Sequence, residues 1–141
     1  MALVLDRPWS HLLLISCQQG LIYMYVMYTV QRYDLLITSF ALYVTSNVFW
    51  VHPIYGFRRN LDRFVVKAHL MYLHYCAYTE YQTYTNYACF ILLHIHAYAI
   101  YFAGCHFYKH RLYTLYTLTH ILLHSLGSLS TLLLINDIDR V

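Results

Sequence analysis

The sequence predicts an all-α membrane protein: a single transmembrane domain, a bundle of about five transmembrane helices. Three observations lead there. Sixty per cent of the 141 residues are hydrophobic and only 11% are charged, about half the charge of an average soluble domain. The charges are also clustered, at positions 6–7, 32–34, 58–67, 80, 109–111 and 137–140. Between the clusters run charge-free stretches long enough to cross a bilayer core, which takes about 20 residues. A soluble domain this small needs a broad polar skin, and so few charges do not supply one.

The spacing places spans at 8–31, 35–57, 64–80, 84–108 and 112–136. The first follows Arg7 and is free of charge as far as Gln31. It is too long for a signal peptide, has almost no basic n-region and lacks a small-x-small cleavage site, so it is expected to be retained. The second follows Asp34 and contains Pro53 near its end, where proline is tolerated. The third is the shortest, and Lys67 near its start would snorkel to the headgroups. The fourth and fifth carry no charge. None of the five alternates with period two, and all are too long for barrel strands. No linker, low-complexity tail or repeat stands out.

Positive residues collect on the cytoplasmic side of a membrane protein. With five spans, the N-terminus shares a side with the loops after spans two and four. That side holds Arg7, Arg58, Arg59, Arg63, Lys67, Lys109 and Arg111; the other holds Arg32 and Arg140. The bias predicts a cytoplasmic N-terminus. It also accounts for the net charge of +3, so no nucleic-acid partner is implied; the expected partners are membrane lipids. A homo-oligomer or a larger membrane complex is left open. Many of the 17 tyrosines fall at the proposed interfaces, Tyr33, Tyr78, Tyr81, Tyr84 and Tyr87 on one side and Tyr55, Tyr108 and Tyr113 on the other. An apolar ring with a hydroxyl that seeks water suits that zone.

The four cysteines, Cys17, Cys76, Cys89 and Cys105, form no CxxC pair and are expected as buried free thiols. The ten histidines have two readings. Ionisable residues inside spans are costly and often functional, but a neutral imidazole also serves as a hydrogen-bonding group between helices. The sharpest local pattern is THILLHSLGSLST in span five. His120 and His124 are four residues apart and share a helix face, which Thr117, Gly127, Ser128 and Thr131 extend. Such a pair can reach one metal ion, or the polar, small stripe can simply pack inside the bundle.

The segment TSNVFWVHPIYGFRRNLDRF, with HILLHSLGS near the C-terminus, resembles the membrane hydrolase superfamily called CREST. That group includes the alkaline ceramidases, the progestin and adiponectin receptors and the hemolysin III-like proteins. Its pattern is a Ser and a His on one helix, an Asp at the start of the next, and HxxxH on the last. The resemblance implies a zinc-dependent intramembrane hydrolase of a lipid amide or ester. His52, His120 and His124 would be the zinc ligands, and Asp62 and Ser46 the catalytic pair beside the activated water. The family has seven helices where this chain has room for five. Its first histidine lies four residues after the serine, where this chain has Trp50. His52 is six residues after Ser46, roughly 120° away in helical projection.

Depth along the spans is compatible with one site. At 1.5 Å per residue, His52 lies ~8 Å, His120 ~12 Å, Ser46 ~16 Å and His124 ~18 Å from the inner edge, with Asp62 at that edge. His74 reaches a similar depth and is a substitute ligand. Asp62 beside Arg58, Arg59 and Arg63 is equally readable as a paired interfacial charge or a helix N-cap. Two other functions stay open: a non-catalytic structural membrane subunit of a virus particle or organellar complex, and a haem protein with axial ligands among His74, His94, His96, His120 and His124.

Overall fold

A computed structural model describes residues 4–80 and 83–138. Every regular element among them is a helix: α1 (Arg7–Cys17), α2 (Gln19–Thr29), α3 (Tyr33–Val51), α4 (Phe57–Glu80), α5 (Tyr84–Lys109) and α6 (Tyr113–Ile138). Four segments are long and apolar enough to cross a membrane: Arg7–Thr29, Tyr33–Val51, Tyr84–Lys109 and Tyr113–Asn136. The chain is therefore an all-α, multi-pass membrane protein. Large apolar side chains face outward along these segments, among them Ile15, Ile22, Ile37, Phe40 and Phe102. In water they would form patches that soluble monomers avoid; against lipid tails they cost nothing. Tyr81 and Arg140, used in the tyrosine and charge arguments, lie outside the described residues.

The fold divides into two compact units within α4, between Leu73 and His74. In the first, α1 and α2 make one rod that packs on α3. The rod has a single tight turn at Gln18. There the Gln18 N–H donates to the Ile15 carbonyl at 3.0 Å, one residue short of the α-helical partner. Gln18 Nε2 donates at 3.0 Å to the Leu14 carbonyl, the group an unbroken helix would bond to the Gln18 N–H. Side-chain repair of this kind is how helices carry irregularities in a membrane. The rest of the Gln18 amide reaches α3. Nε2 donates to Asn47 Oδ1 at 2.8 Å, and Oε1 accepts from the Tyr43 hydroxyl at 2.8 Å. Asn47 Nδ2 donates back to the Tyr43 carbonyl at 2.7 Å. The interhelical contact is thus polar where the rod is irregular. Elsewhere Leu13, Met27 and Leu35 are fully enclosed, beside the small buried residues Ser10 and Ser16.

The second unit is dominated by the α5–α6 hairpin. Gly104 lets the two helices approach. A Cβ there would meet Thr119 Oγ1 at 2.9 Å, and that oxygen is already tied to the Tyr116 carbonyl at 2.8 Å.

Both hairpins close in the same way. After α2, Gln31 takes a left-handed conformation, φ 59°. Its N–H donates to the Tyr28 carbonyl and that of Arg32 to the Met27 carbonyl, at 3.2 and 2.9 Å. After α5, Arg111 has φ 60°. Its N–H donates to the Tyr108 carbonyl and that of Leu112 to the Phe107 carbonyl, at 3.1 and 2.9 Å. These are two Schellman closures, with side chains where glycine is usual and a cost of about 1–2 kcal/mol for each left-handed residue. Each is clasped by an edge-on tyrosine pair, Tyr28–Tyr33 at 6.5 Å and Tyr108–Tyr113 at 6.1 Å between ring centroids.

Three expectations need correction. The second span stops at Val51 rather than 57, because Pro53 disfavours helix at the residue before it and His52 takes a non-helical conformation. Helix α4 begins at Phe57 rather than 64. Its charged first turns limit a membrane span but not a helix, and α4 is not among the four segments apolar enough to cross. All four cysteines are free, but only Cys17 and Cys76 are buried; Cys89 and Cys105 face outward.

Gly104→Ala is expected to destabilise the protein by about 1–3 kcal/mol through overpacking. Gly127→Ala, where an added Cβ meets nothing within 4 Å, should leave stability unchanged or slightly raised. Thermal unfolding of both variants in one detergent would check the contrast.

Candidate functional site: polar contacts between α3 and α4

The buried residues of α3 are Leu35, Ser39, Ser46, Phe49 and Trp50, a helix-spaced stripe with two serines. Small side chains at such a stripe allow close approach of a neighbouring helix. Within the first unit α3 packs on α1 and α2, and polar groups also link it to α4. Ser46 Oγ donates to Asp62 Oδ1 at 2.6 Å, both residues being buried. Thr38 Oγ1 lies 3.2 Å from His69 Nδ1. The Tyr72 hydroxyl donates to Asp34 Oδ2 at 2.8 Å. Positions 34, 38 and 46 on α3 meet 72, 69 and 62 on α4, so the two helices run antiparallel with three polar rungs. At the far rung Asp34 is also held by Arg32, whose Nε and Nη2 donate to its two oxygens at 2.9 and 2.8 Å.

The residues singled out from the sequence have distinct places. Ser46 and Asp62 bond to each other. Asp62 lies inside α4, in its second turn, so it is not an N-cap. Its bonded partner is Ser46, and the one ion pair found among the described residues is Arg32–Asp34. His52 caps the C-terminus of α3 and is exposed. Trp50 fills the position four after Ser46; it is buried and packs on Phe49 with ring centroids 4.6 Å apart.

In the second unit, His120 and His124 share one face of α6 with ring centroids 4.9 Å apart. They continue a run of rings from Tyr108 through Tyr116, spaced 5.2 Å and then 5.7 Å to His120. Thr117 and Thr131 on this helix are buried, and the two histidines are half-buried. Two of the candidate axial histidines meet between α4 and α5: His74 and His94 lie 4.5 Å apart between ring centroids. His94 Nδ1 lies 3.0 Å from the Phe90 carbonyl, which makes Nδ1 the protonated nitrogen.

A catalytic zinc takes three protein ligands and a water. Among the described residues, no group of three or more His, Cys, Asp or Glu is gathered closely enough to hold a metal ion. What the Ser46–Asp62 pair does chemically is mutual satisfaction: a hydroxyl proton is held by a carboxylate away from water. Comparison with known proteins finds no matching family model, curated protein or solved structure.

Ser46→Ala and Asp62→Asn are each expected to lower stability, Ser46→Ala by about 1–2 kcal/mol because it leaves the buried carboxylate without its donor. The double variant should be less damaging than the sum of the two. A double-mutant cycle by thermal unfolding in detergent would measure that coupling; strict additivity would mean the bond contributes nothing.

Proposed function

We propose that the chain is a non-catalytic structural membrane subunit, of the kind that serves a virus particle or an organellar complex. The observation that carries this reading is the set of polar rungs between α3 and α4. The hydroxyl, carboxylate and imidazole groups of these rungs are engaged with the neighbouring helix, and Gln18, Tyr43 and Asn47 act in the same way between the rod and α3. Groups spent on packing hold a scaffold together. The outward apolar side chains leave surfaces for lipid or for other membrane chains.

One observation favours a second reading, the zinc-dependent lipid hydrolase implied by the CREST resemblance. Ser46 and Asp62, the two residues carried over as catalytic, are hydrogen-bonded neighbours. The two readings part on composition and turnover. A structural subunit purified in detergent should contain far less than one zinc per chain and should release no fatty acid from ceramide or ester lipids. Stoichiometric zinc, with lipid cleavage abolished by Asp62→Asn, would replace the first reading by the second.

The proposed topology has α4 as the fifth crossing, the N-terminus cytoplasmic and the C-terminus outside, in keeping with the seven-to-two bias of positive residues. Single cysteines placed in tags at each end of a chain whose own cysteines are replaced should label from opposite sides. Labelling of both ends from one side would mean an even number of crossings.

A further inference from the structure

We propose that a cavity where α1 begins and α3 ends binds a phosphate group, either that of an anionic phospholipid or free phosphate. Residues 4 and 5, just before α1, lie over the end of α3. The Val4 N–H donates to the Pro53 carbonyl at 2.7 Å, and Val4 and Leu5 are buried. Beside this contact lies a partly open cavity of about 250 Å³, walled by Leu5, Arg7, Ser10, His11, His52 and Pro53 among others.

The wall sets the charge of the occupant. Arg7 is cationic at any physiological pH. Its planar fork of donors matches phosphate oxygens. His11 and His52 add ring N–H donors from two elements, and no carboxylate lines the cavity. Such a wall repels metal cations and attracts anions. The start of α1 acts in the same direction. Asp6 makes no side-chain cap bond, and a helix N-terminus favours negative charge. The C-terminal end of α3 opposes this, and His52 sits at that end. Ser10 is not a ligand donor, since its hydroxyl bonds the Arg7 carbonyl at 3.1 Å; it fixes the first turn that carries Arg7.

Depth selects phosphate among anions. Arg7 and Val51 are the terminal residues of two membrane-crossing segments, so the cavity lies at headgroup level. Lipid phosphates are concentrated there, and soluble phosphate also has access. The inference holds whether the chain is a scaffold or a hydrolase.

The test uses the full chain in detergent with two probes, dihexanoyl phosphatidic acid and inorganic phosphate, and binding read by phosphorus NMR. Wild type should bind the short lipid. Arg7→Gln should weaken it about tenfold or more, the loss expected for one charge-assisted pair, and His52→Gln by less. Arg58→Gln, at an exposed arginine that does not line the cavity, should leave binding unchanged. Inorganic phosphate showing the same dependence on Arg7 would assign a soluble source, and its failure to bind beside a bound lipid would assign the headgroup; either supports the site. Absence of binding by both probes overturns it. So does an equal loss in Arg58→Gln, which would reveal diffuse attraction to basic residues. Should Arg7→Gln fail to fold by thermal unfolding, His11→Gln provides the same comparison.

Discussion

A polar side chain within a bilayer has to find its partner inside the protein, because lipid tails offer none. That constraint organises the polar contacts of the first unit, where, among the described residues, Ser39 Oγ on α3 is the buried hydroxyl without a hydrogen-bond partner. Gln18, Tyr43 and Asn47 close a ring of hydrogen bonds between the rod and α3, and Ser46, Thr38 and Asp34 on α3 meet Asp62, His69 and Tyr72 on α4. Hydrophobic burial cannot choose a helix register where the solvent is itself hydrocarbon. Paired polar groups can, since a slip of one residue would separate every pair. The apolar residues then fill the space that the pairs define.

The same constraint explains why the rod tolerates a turn at Gln18. A local tightening releases the Leu14 carbonyl, and the amide that repairs it also makes the contact to Asn47. Irregularity and recognition are served by one side chain. In the second unit the balance shifts to close packing, with Gly104 against Thr119 and a run of tyrosine and histidine rings along α6.

How much was legible in the sequence depends on the range of the signal. Charge exclusion acts at every residue of a span, so it marks the same stretches as the apolar helical segments ending at Thr29, Lys109 and Asn136. Where the chain stops being helical is a different question. Pro53 ends α3 although no charge marks the place, and the charged start of α4 is helical although it reads as a loop. Ser46 and Asp62 could be paired through the family resemblance. The partners of Gln18 lie 25 and 29 residues away, and no periodicity links them. Which of the five candidate histidines would meet, His74 and His94, and the cavity shared by His11 and His52 were equally hidden, because each depends on which helices become neighbours. Trp50 was the departure visible from the start, and it is buried against Phe49.

The two Schellman closures at Gln31 and Arg111 carry a consequence for how this chain tolerates change. Each joins antiparallel helices with almost no slack, so the turn transmits rotational phase from one helix to the next. One inserted residue would turn the following helix by roughly 100°. After Arg111 that rotation would swing Thr119 away from Gly104 and present a lipid-facing edge in its place. Side-chain identity in these turns is therefore freer than their length: glycine would ease the left-handed residue, whereas a single insertion or deletion would undo the interface beyond it.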